Sequence, residues 1–394
     1  MKTAPPVAIT GLGCVCAAGL NLDDCMASLF RGDRNPTPPV RFSSTHPVRY
    51  PVFEVREFRE PPELLRTSGL GLHAAREALA DAGLDKKGLS GMRVGVCVGT
   101  TVGSALNNES FCRAYRAGED PDLAPIERIM RSNPAALIAR EFNLSGPCQT
   151  VVNACSSGTD AVGLATAWIR AGICDLAIAG GADELSRITY NGFISLMIAD
   201  SSPCRPFDRE RRGLNLGEGA GMLVLEGEGF RIKRGQRARG FVLGYGSACD
   251  AYHLTAPKPD GAGLKSAIAE ALACGGTNAA DIAFVNAHGT GTPDNDRVES
   301  RVLAEVLPGV PFLSTKGYTG HTLGAAGAIE AVFTAACLEL GRIPANAGFV
   351  TPDPDLGGSP VREITPITGS VALSESLAFG GNNAVIILGK EGTI

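Results

Sequence analysis

Two kinds of apolar segment alternate along the chain. Short runs such as Val7 to Thr10, Val94 to Val98, Leu176 to Ala179, Met222 to Leu225, Ile282 to Val285 and Ala384 to Leu388 have the length of buried strands. Between them lie longer Ala-rich stretches with helical spacing; the clearest carries Ala161, Leu164, Ala165, Trp168 and Ile169 at three- and four-residue intervals. This alternation predicts α/β layers. The segment Phe284 to Thr290 loosely echoes Gly95 to Thr100, and Ala384 to Leu388 closes the chain as Met222 to Leu225 closes its first part. Residues Arg34 to Pro62 and Ala105 to Pro134, proline-rich or polar and only partly periodic, read as insertions that cap a site or a subunit contact.

The first helical stretch follows Val151-Val152-Asn153-Ala154-Cys155-Ser156-Ser157-Gly158, a β-branched run that breaks into small residues. Cys155 therefore falls at or beside the first helical turn. There, free N–H groups and the positive end of the helix dipole favour a thiolate and can hold an oxyanion. Two histidines follow strand-like runs in the same manner. His288 lies in Asn286-Ala287-His288-Gly289-Thr290-Gly291-Thr292 after Ile282 to Val285, and His321 closes Ser314-Thr315-Lys316-Gly317-Tyr318-Thr319-Gly320-His321 after Val310 to Leu313. Imidazoles at strand exits are placed as catalytic groups usually are, on loops held by a rigid scaffold.

The five histidines show no paired-ligand spacing and there is no C-x-x-C, so no metal is expected. Gly11-Leu12-Gly13 after the first strand suggests dinucleotide binding, but the third glycine comes at Gly19, out of place for that fingerprint. The same stretch, Val7 to Leu20, is broken by glycines and is too short for a membrane helix; it reads as a core strand rather than a leader. Composition adds exclusions. A net charge of −5 with mixed Lys and Arg gives no basic face for nucleic acid, and 44% hydrophobic with 20% charged residues is ordinary for a folded globular chain. Twelve cysteines without regular spacing point to free thiols in a reducing, cytoplasmic compartment.

Several motifs, in one order from the first strand to the last, resemble the elongating β-ketoacyl-acyl-carrier-protein synthases. They are Ala154-Cys155-Ser156-Ser157-Gly158, Arg205-Pro206-Phe207-Asp208, Gly217-Glu218-Gly219-Ala220-Gly221-Met222, Asp250-Ala251-Tyr252-His253, Asn286-Ala287-His288-Gly289-Thr290, Thr315-Lys316 with Gly320 to Gly327, and Phe379-Gly380-Gly381. The resemblance implies a thiolase-like five-layer α/β/α/β/α fold of two related halves, residues 1–247 with the cysteine and 248–394 with the histidines. It implies a cofactor-free decarboxylative condensation that lengthens an acyl chain on Cys155 by two carbons, in fatty-acid or polyketide and polyene synthesis. His288 and His321 would stabilise the enolate from a malonyl thioester, and the N–H groups of Cys155 and Phe379 would form the oxyanion hole. Lys316 and Glu330 would organise the histidines, Thr290 and Thr292 would contact a pantetheine arm, and Phe193, Phe379 and Gly380 would meet the acyl chain.

The implied partners are an acyl carrier protein and a second subunit, in a homodimer or with a chain-length partner. The carrier is acidic, which makes Arg66, Arg128 and Arg131 docking candidates. Leu377-Ala378 before Phe379, Leu214-Asn215 and Asn382 depart from the usual Phe-Gly, Phe-Val and Thr, and point to a specialised acyl substrate. A thiolase would carry a second cysteine in the Phe379 loop, a non-catalytic chain-length subunit would lack Cys155, and a thioester hydrolase would need only one imidazole.

Overall fold

A computed structural model describes residues 4–61 and 63–393. Its strands are β1 (Val7–Cys16), β2 (Val94–Gly99), β3 (Cys148–Val151), β4 (Leu176–Asp183), β5 (Gly219–Gly227), β6 (Gly240–Cys249), β7 (Ile282–Asn286), β8 (Phe312–Leu313), β9 (Arg342–Ile343), β10 (Thr365–Pro366), β11 (Val371–Ala378) and β12 (Asn382–Gly389). Ten of them form one sheet in the order β3-β2-β4-β5-β1-β6-β12-β11-β7-β8, while β9 and β10 pair separately. The halves of that order mirror one another. β1, β5, β4, β2 and β3 correspond outward from the centre to β6, β12, β11, β7 and β8, and the two half-sheets meet where Val7, Ala8 and Ile9 pair with Val242, Phe241 and Gly240. The sequence echoes fall on this symmetry: β2 with β7, and β5 with β12. Residue 247 lies within β6, paired to Ala384 of β12.

The helices Ser157–Arg170 and Ala326–Leu340 pack against each other between the two half-sheets, Arg66–Asp81 and Pro134–Glu141 cover the outer face of the first half, and Ala262–Gly275 covers that of the second. That is five layers, with the expected two-half fold. The middle layer is tight because its residues are small: a Cβ on Gly158 would come within 2.8 Å of the Ala328 nitrogen. Gly11 and Gly13 have the same use. A Cβ there would lie 2.0 Å from the Ala78 carbonyl and 2.1 Å from that of Ala74, so these glycines let the helix Arg66–Asp81 sit directly on β1. Among the described residues one segment, Leu323–Leu340, is long and apolar enough to cross a membrane; 89% of it is buried in the middle layer.

The first insertion sends Phe42 and Val52 under the site, where they pack with Tyr190, Leu214 and Leu323. β3 leaves an edge of the large sheet open, and Val152 beyond it is exposed.

Candidate active site

The cysteine turn is built by strain and side-chain bonds. Ala154 has φ +48°, a left-handed conformation that costs an L-residue about 1 kcal/mol. Its carbonyl accepts from Ser157 Oγ at 2.6 Å and Thr101 Oγ1 at 3.1 Å, and the adjacent Asn153 Oδ1 accepts from Asn382 Nδ2 at 2.6 Å. The kink drops Cys155 just ahead of the helix Ser157–Arg170, whose N-cap is Ser156. The thiol is 5% exposed. Burial pushes it up to about 11, against the pull of the Lys316 charge and the Phe379 N–H. Position alone predicted a thiolate at the helix start; burial acts the other way and raises the thiol.

His288 leaves β7, and His321 follows the short helix Lys316–Thr319; their rings meet edge to face with centroids 5.2 Å apart. Burial, then the Lys316 charge, depresses both well below the usual imidazole range, so both are neutral at pH 7. The partners fix the tautomers. The Leu323 N–H donates to His321 Nδ1 at 3.1 Å, and the Lys316 ammonium lies 3.1 Å from His288 Nδ1. With both Nδ1 atoms accepting, each Nε2 carries the proton and is a donor.

Lys316, 1% exposed, also donates to the His288 carbonyl at 2.6 Å and to the Glu330 carboxylate. Burial raises Glu330 to about 7, although Lys316 works against it. Sequence reasoning missed two further carboxyls here. Glu299 accepts from the N–H groups of His288 at 2.5 Å and Gly289 at 2.8 Å, fixing the first histidine loop. Glu375 on β11 is fully buried and, by burial and then the neighbouring Glu299 charge, is held well above the carboxylate range. Asp183 was missed too. It accepts from Thr100 Oγ1 and from the N–H groups of Thr101 and Gly324, each at 2.7 Å, and so ties the Cys155 and His321 sides together. The signal for Glu299 was available: it stands three residues after Asp296 on the helix that opens behind Gly289-Thr290-Gly291.

Cys155, His288 and His321 line one cavity of about 310 Å³ with Thr290, Thr292, Phe193, Phe379, Leu214 and Leu377. The Thr290 and Thr292 hydroxyls bond each other at 2.8 Å. Phe193 and Phe379 stack at 5.6 Å. Gly380 stands outside the wall: its N–H donates to the Leu254 carbonyl at 2.8 Å, and Gly381 takes the lining position.

The expectation for Arg66 is corrected. It is 4% exposed, its Nε and Nη2 bond the Glu218 carboxylate at 3.0 and 2.6 Å, and Nη1 meets Glu60 at 2.8 Å, so a buried ion pair consumes it and no docking protein could reach it. Arg128 and Arg131 do lie at the surface, around one groove with Arg140; Arg128 donates to the Leu64 carbonyl at 3.0 Å, and the Arg131 side chain is 80% exposed.

Residues 4–229 match the family model for the β-ketoacyl synthase N-terminal domain, and residues 239–350 that for the C-terminal domain. The chain is 32% identical to the 3-oxoacyl-[acyl-carrier-protein] synthase 2 of Synechocystis sp., over 98% of both chains, and 31% identical to that of Staphylococcus aureus, again over 98% of both. Among solved structures, a chain of the ishigamide ketosynthase/chain length factor superposes with a TM-score of 0.91 at 33% identity, covering 99% of this chain and 100% of that one. A β-ketoacyl synthase from Burkholderia phymatum superposes with a TM-score of 0.89 at 30% identity, over 98% and 99%.

Proposed function

The chain belongs to the β-ketoacyl synthase family, and from that premise we propose that it condenses malonyl-carrier protein with an acyl chain held as a thioester on Cys155. The observation that carries this reading is the convergence of one thiol and two neutral Nε2–H imidazoles on a single cavity. In the first step the Cys155 sulfur takes the acyl group from its carrier, and the thiol proton leaves on the pantetheine sulfur. Malonyl thioester then binds with its carbonyl toward His288 and His321. Loss of carbon dioxide leaves an enolate, and two fixed Nε2–H donors stabilise the oxygen on which that charge develops. The carbanion attacks the acyl carbonyl; the N–H groups of Cys155 and Phe379 hold the tetrahedral oxyanion, and the Phe379 N–H already reaches the sulfur. Collapse releases the β-ketoacyl thioester and a Cys155 thiolate, which regains a proton from solvent.

Thr290 and Thr292 fit a role at the pantetheine arm, and Phe193 with Phe379 one as the wall the acyl chain must displace. Docking of the acidic carrier is assigned to Arg128 and Arg131, with Arg140 beside them. The open edge of β3 supports pairing with a second subunit, and the likeness to a ketosynthase/chain length factor chain supports a heterodimer as the alternative to a homodimer. Twelve free thiols fit the cytoplasm.

The test is mass spectrometry of the Cys155 peptide after incubation with acyl-carrier protein, followed by malonyl-carrier protein and product analysis. The expected results are an acyl adduct on Cys155, its discharge as a β-ketoacyl product, and no adduct in Cys155→Ala. Acylation that persists unchanged in that variant would falsify the assignment.

A further inference from the structure

Among the described residues, a second group of thiols lies outside the acyl-transfer cavity. Cys14 and Cys16 are two residues apart on β1, so their side chains leave the same face of the strand. The chain then turns through Ala17, Ala18 and Gly19 and enters the helix Leu22–Arg31, which returns Cys25 to that face beside Leu22, Met26 and Leu29. The three sulfurs lie within 4.8 Å of one another, with Cys16 and Cys25 at 3.6 Å, and all three residues are at most 1% exposed.

These spacings match those of a metal with three sulfur ligands, since bonds of about 2.3 Å in a trigonal plane set sulfurs about 4 Å apart. Among the described residues no histidine or carboxylate joins the group as a fourth ligand. The nearby Glu77 carboxylate accepts from the N–H groups of Cys14 and Leu22 at 2.8 and 2.7 Å, and His73 Nε2 is engaged by the Leu20 carbonyl at 2.7 Å. Zinc in structural sites is almost always four-coordinate, whereas soft thiolate donors select Cu(I). We propose that Cys14, Cys16 and Cys25 form a three-coordinate site for Cu(I), separate from the condensing centre.

The thiolate is the metal ligand, so the protons held by the three thiols leave to solvent as Cu⁺ enters; no oxidation or reduction is involved. Backbone N–H groups of Ala18 and Gly19 reach the Cys16 sulfur and would steady the bound thiolate. Access runs through the half-buried Ala17–Leu20 turn, which is closed by the two 3.0 Å bonds between Cys16 and Gly19.

The experiment uses the full chain, reduced and without oxygen, titrated with Cu(I) held by bicinchoninate. The expected result is one Cu(I) retained per chain, with an X-ray absorption shell of three sulfurs at about 2.3 Å. The Cys14→Ser/Cys25→Ser variant should lose it, while Cys112→Ser/Cys148→Ser/Cys249→Ser, which removes the three exposed thiols, should keep it. No retention by the parent, retention unchanged in the Cys14/Cys25 variant, or a shell of nitrogen or oxygen would each overturn the proposal. Should the Cys14/Cys25 variant not fold, maleimide labelling of the parent in mild denaturant decides. Cu(I) should protect the peptides bearing Cys14, Cys16 and Cys25, and unchanged labelling sinks the site.

Discussion

Lys316→Met separates what the buried ion pair does for stability from what it does for His288. The ammonium is 1% exposed and holds three groups: the Glu330 carboxylate, the His288 carbonyl at 2.6 Å and His288 Nδ1 at 3.1 Å. Glu330 sits at about 7 against an ordinary 4.5 even with that cation beside it. A displacement of that size is worth about 3 kcal/mol, the order of the cost of keeping the carboxylate charged where it is. Because the folded value lies above the unfolded one, protonated Glu330 contributes stability that is complete below pH 4.5 and lost as pH rises through about 7. Removing one partner of a buried pair costs about 3–5 kcal/mol. In Lys316→Met the cost should fall toward the low end, since Glu330 can escape by taking a proton, and its titration should move to higher pH.

Lys316→Met/Glu330→Gln removes both charges at nearly constant volume and should return to within about 1–2 kcal/mol of the parent, since paired removal is often close to neutral. Denaturant unfolding of the parent, both single variants and the double variant at pH 7 closes the cycle. Carbon dioxide release from malonyl-carrier protein is measured in parallel. It should stay depressed by about 10² in the double variant, because nothing then holds His288 with its proton on Nε2. A double variant as unstable as Lys316→Met would refute the coupling, and one that decarboxylates at the parent rate would refute the positioning.

Alkylation of the Cys155 peptide by iodoacetamide should quicken about tenfold per pH unit from pH 7 to 10, as expected for a thiol near 11; a rate that levels off near pH 7 would show a resting thiolate. Arg66→Ala should lose about 3 kcal/mol of unfolding free energy, because buried Glu218 loses its two-bond partner and is left with Arg41 at 3.6 Å, whereas Arg128→Ala/Arg131→Ala should leave stability alone and raise KM for the carrier protein in a salt-dependent way. Equal carrier KM in the parent and that surface double variant removes the groove from the docking model. Asn382→Ala should lower kcat by loosening the Ala154 turn, while rescue by Asn382→Gln is expected to be poor, since a longer amide cannot repeat a 2.6 Å bond to Asn153; parent-like turnover in Asn382→Ala contradicts the bracing role.

The residues with local signatures were the legible ones. A β-branched run ending in Ala154-Cys155-Ser156 announces a strand, a kink and a helix start, and the loose echoes of β2 in β7 and of β5 in β12 only fit the two-half fold that the resemblance implied. Glu375 and Asp183 were not legible as site residues. Asp183 bonds Thr100, Thr101 and Gly324, all far off in sequence, and an isolated carboxylate in a string reads as solvated surface until its burial is known. Arg66 failed for the same reason in reverse: the sequence shows a cation ahead of a helix and does not show that Glu218, 152 residues later, closes over it. The helix-dipole argument for Cys155 drew only on where the helix begins, whereas the burial that pushes the thiol up to about 11 depends on what covers it.

That reversal bears on how the condensing site avoids blocking itself. The Cys155 thiol and both imidazoles are neutral at rest, and the Lys316 ammonium, bonded to Glu330, lies behind the histidines. A resting thiolate would be a permanent anion competing for the Phe379 N–H, the donor needed for the oxyanion of the condensation. With the sulfur protonated, and later acylated, the N–H groups at the helix start and the two Nε2–H donors have no anion to hold until the reaction makes one. On the proposed mechanism negative charge then appears twice, on the enolate and on the tetrahedral oxygen, each time against donors already in position, so their binding energy acts on the transition states rather than on the resting enzyme.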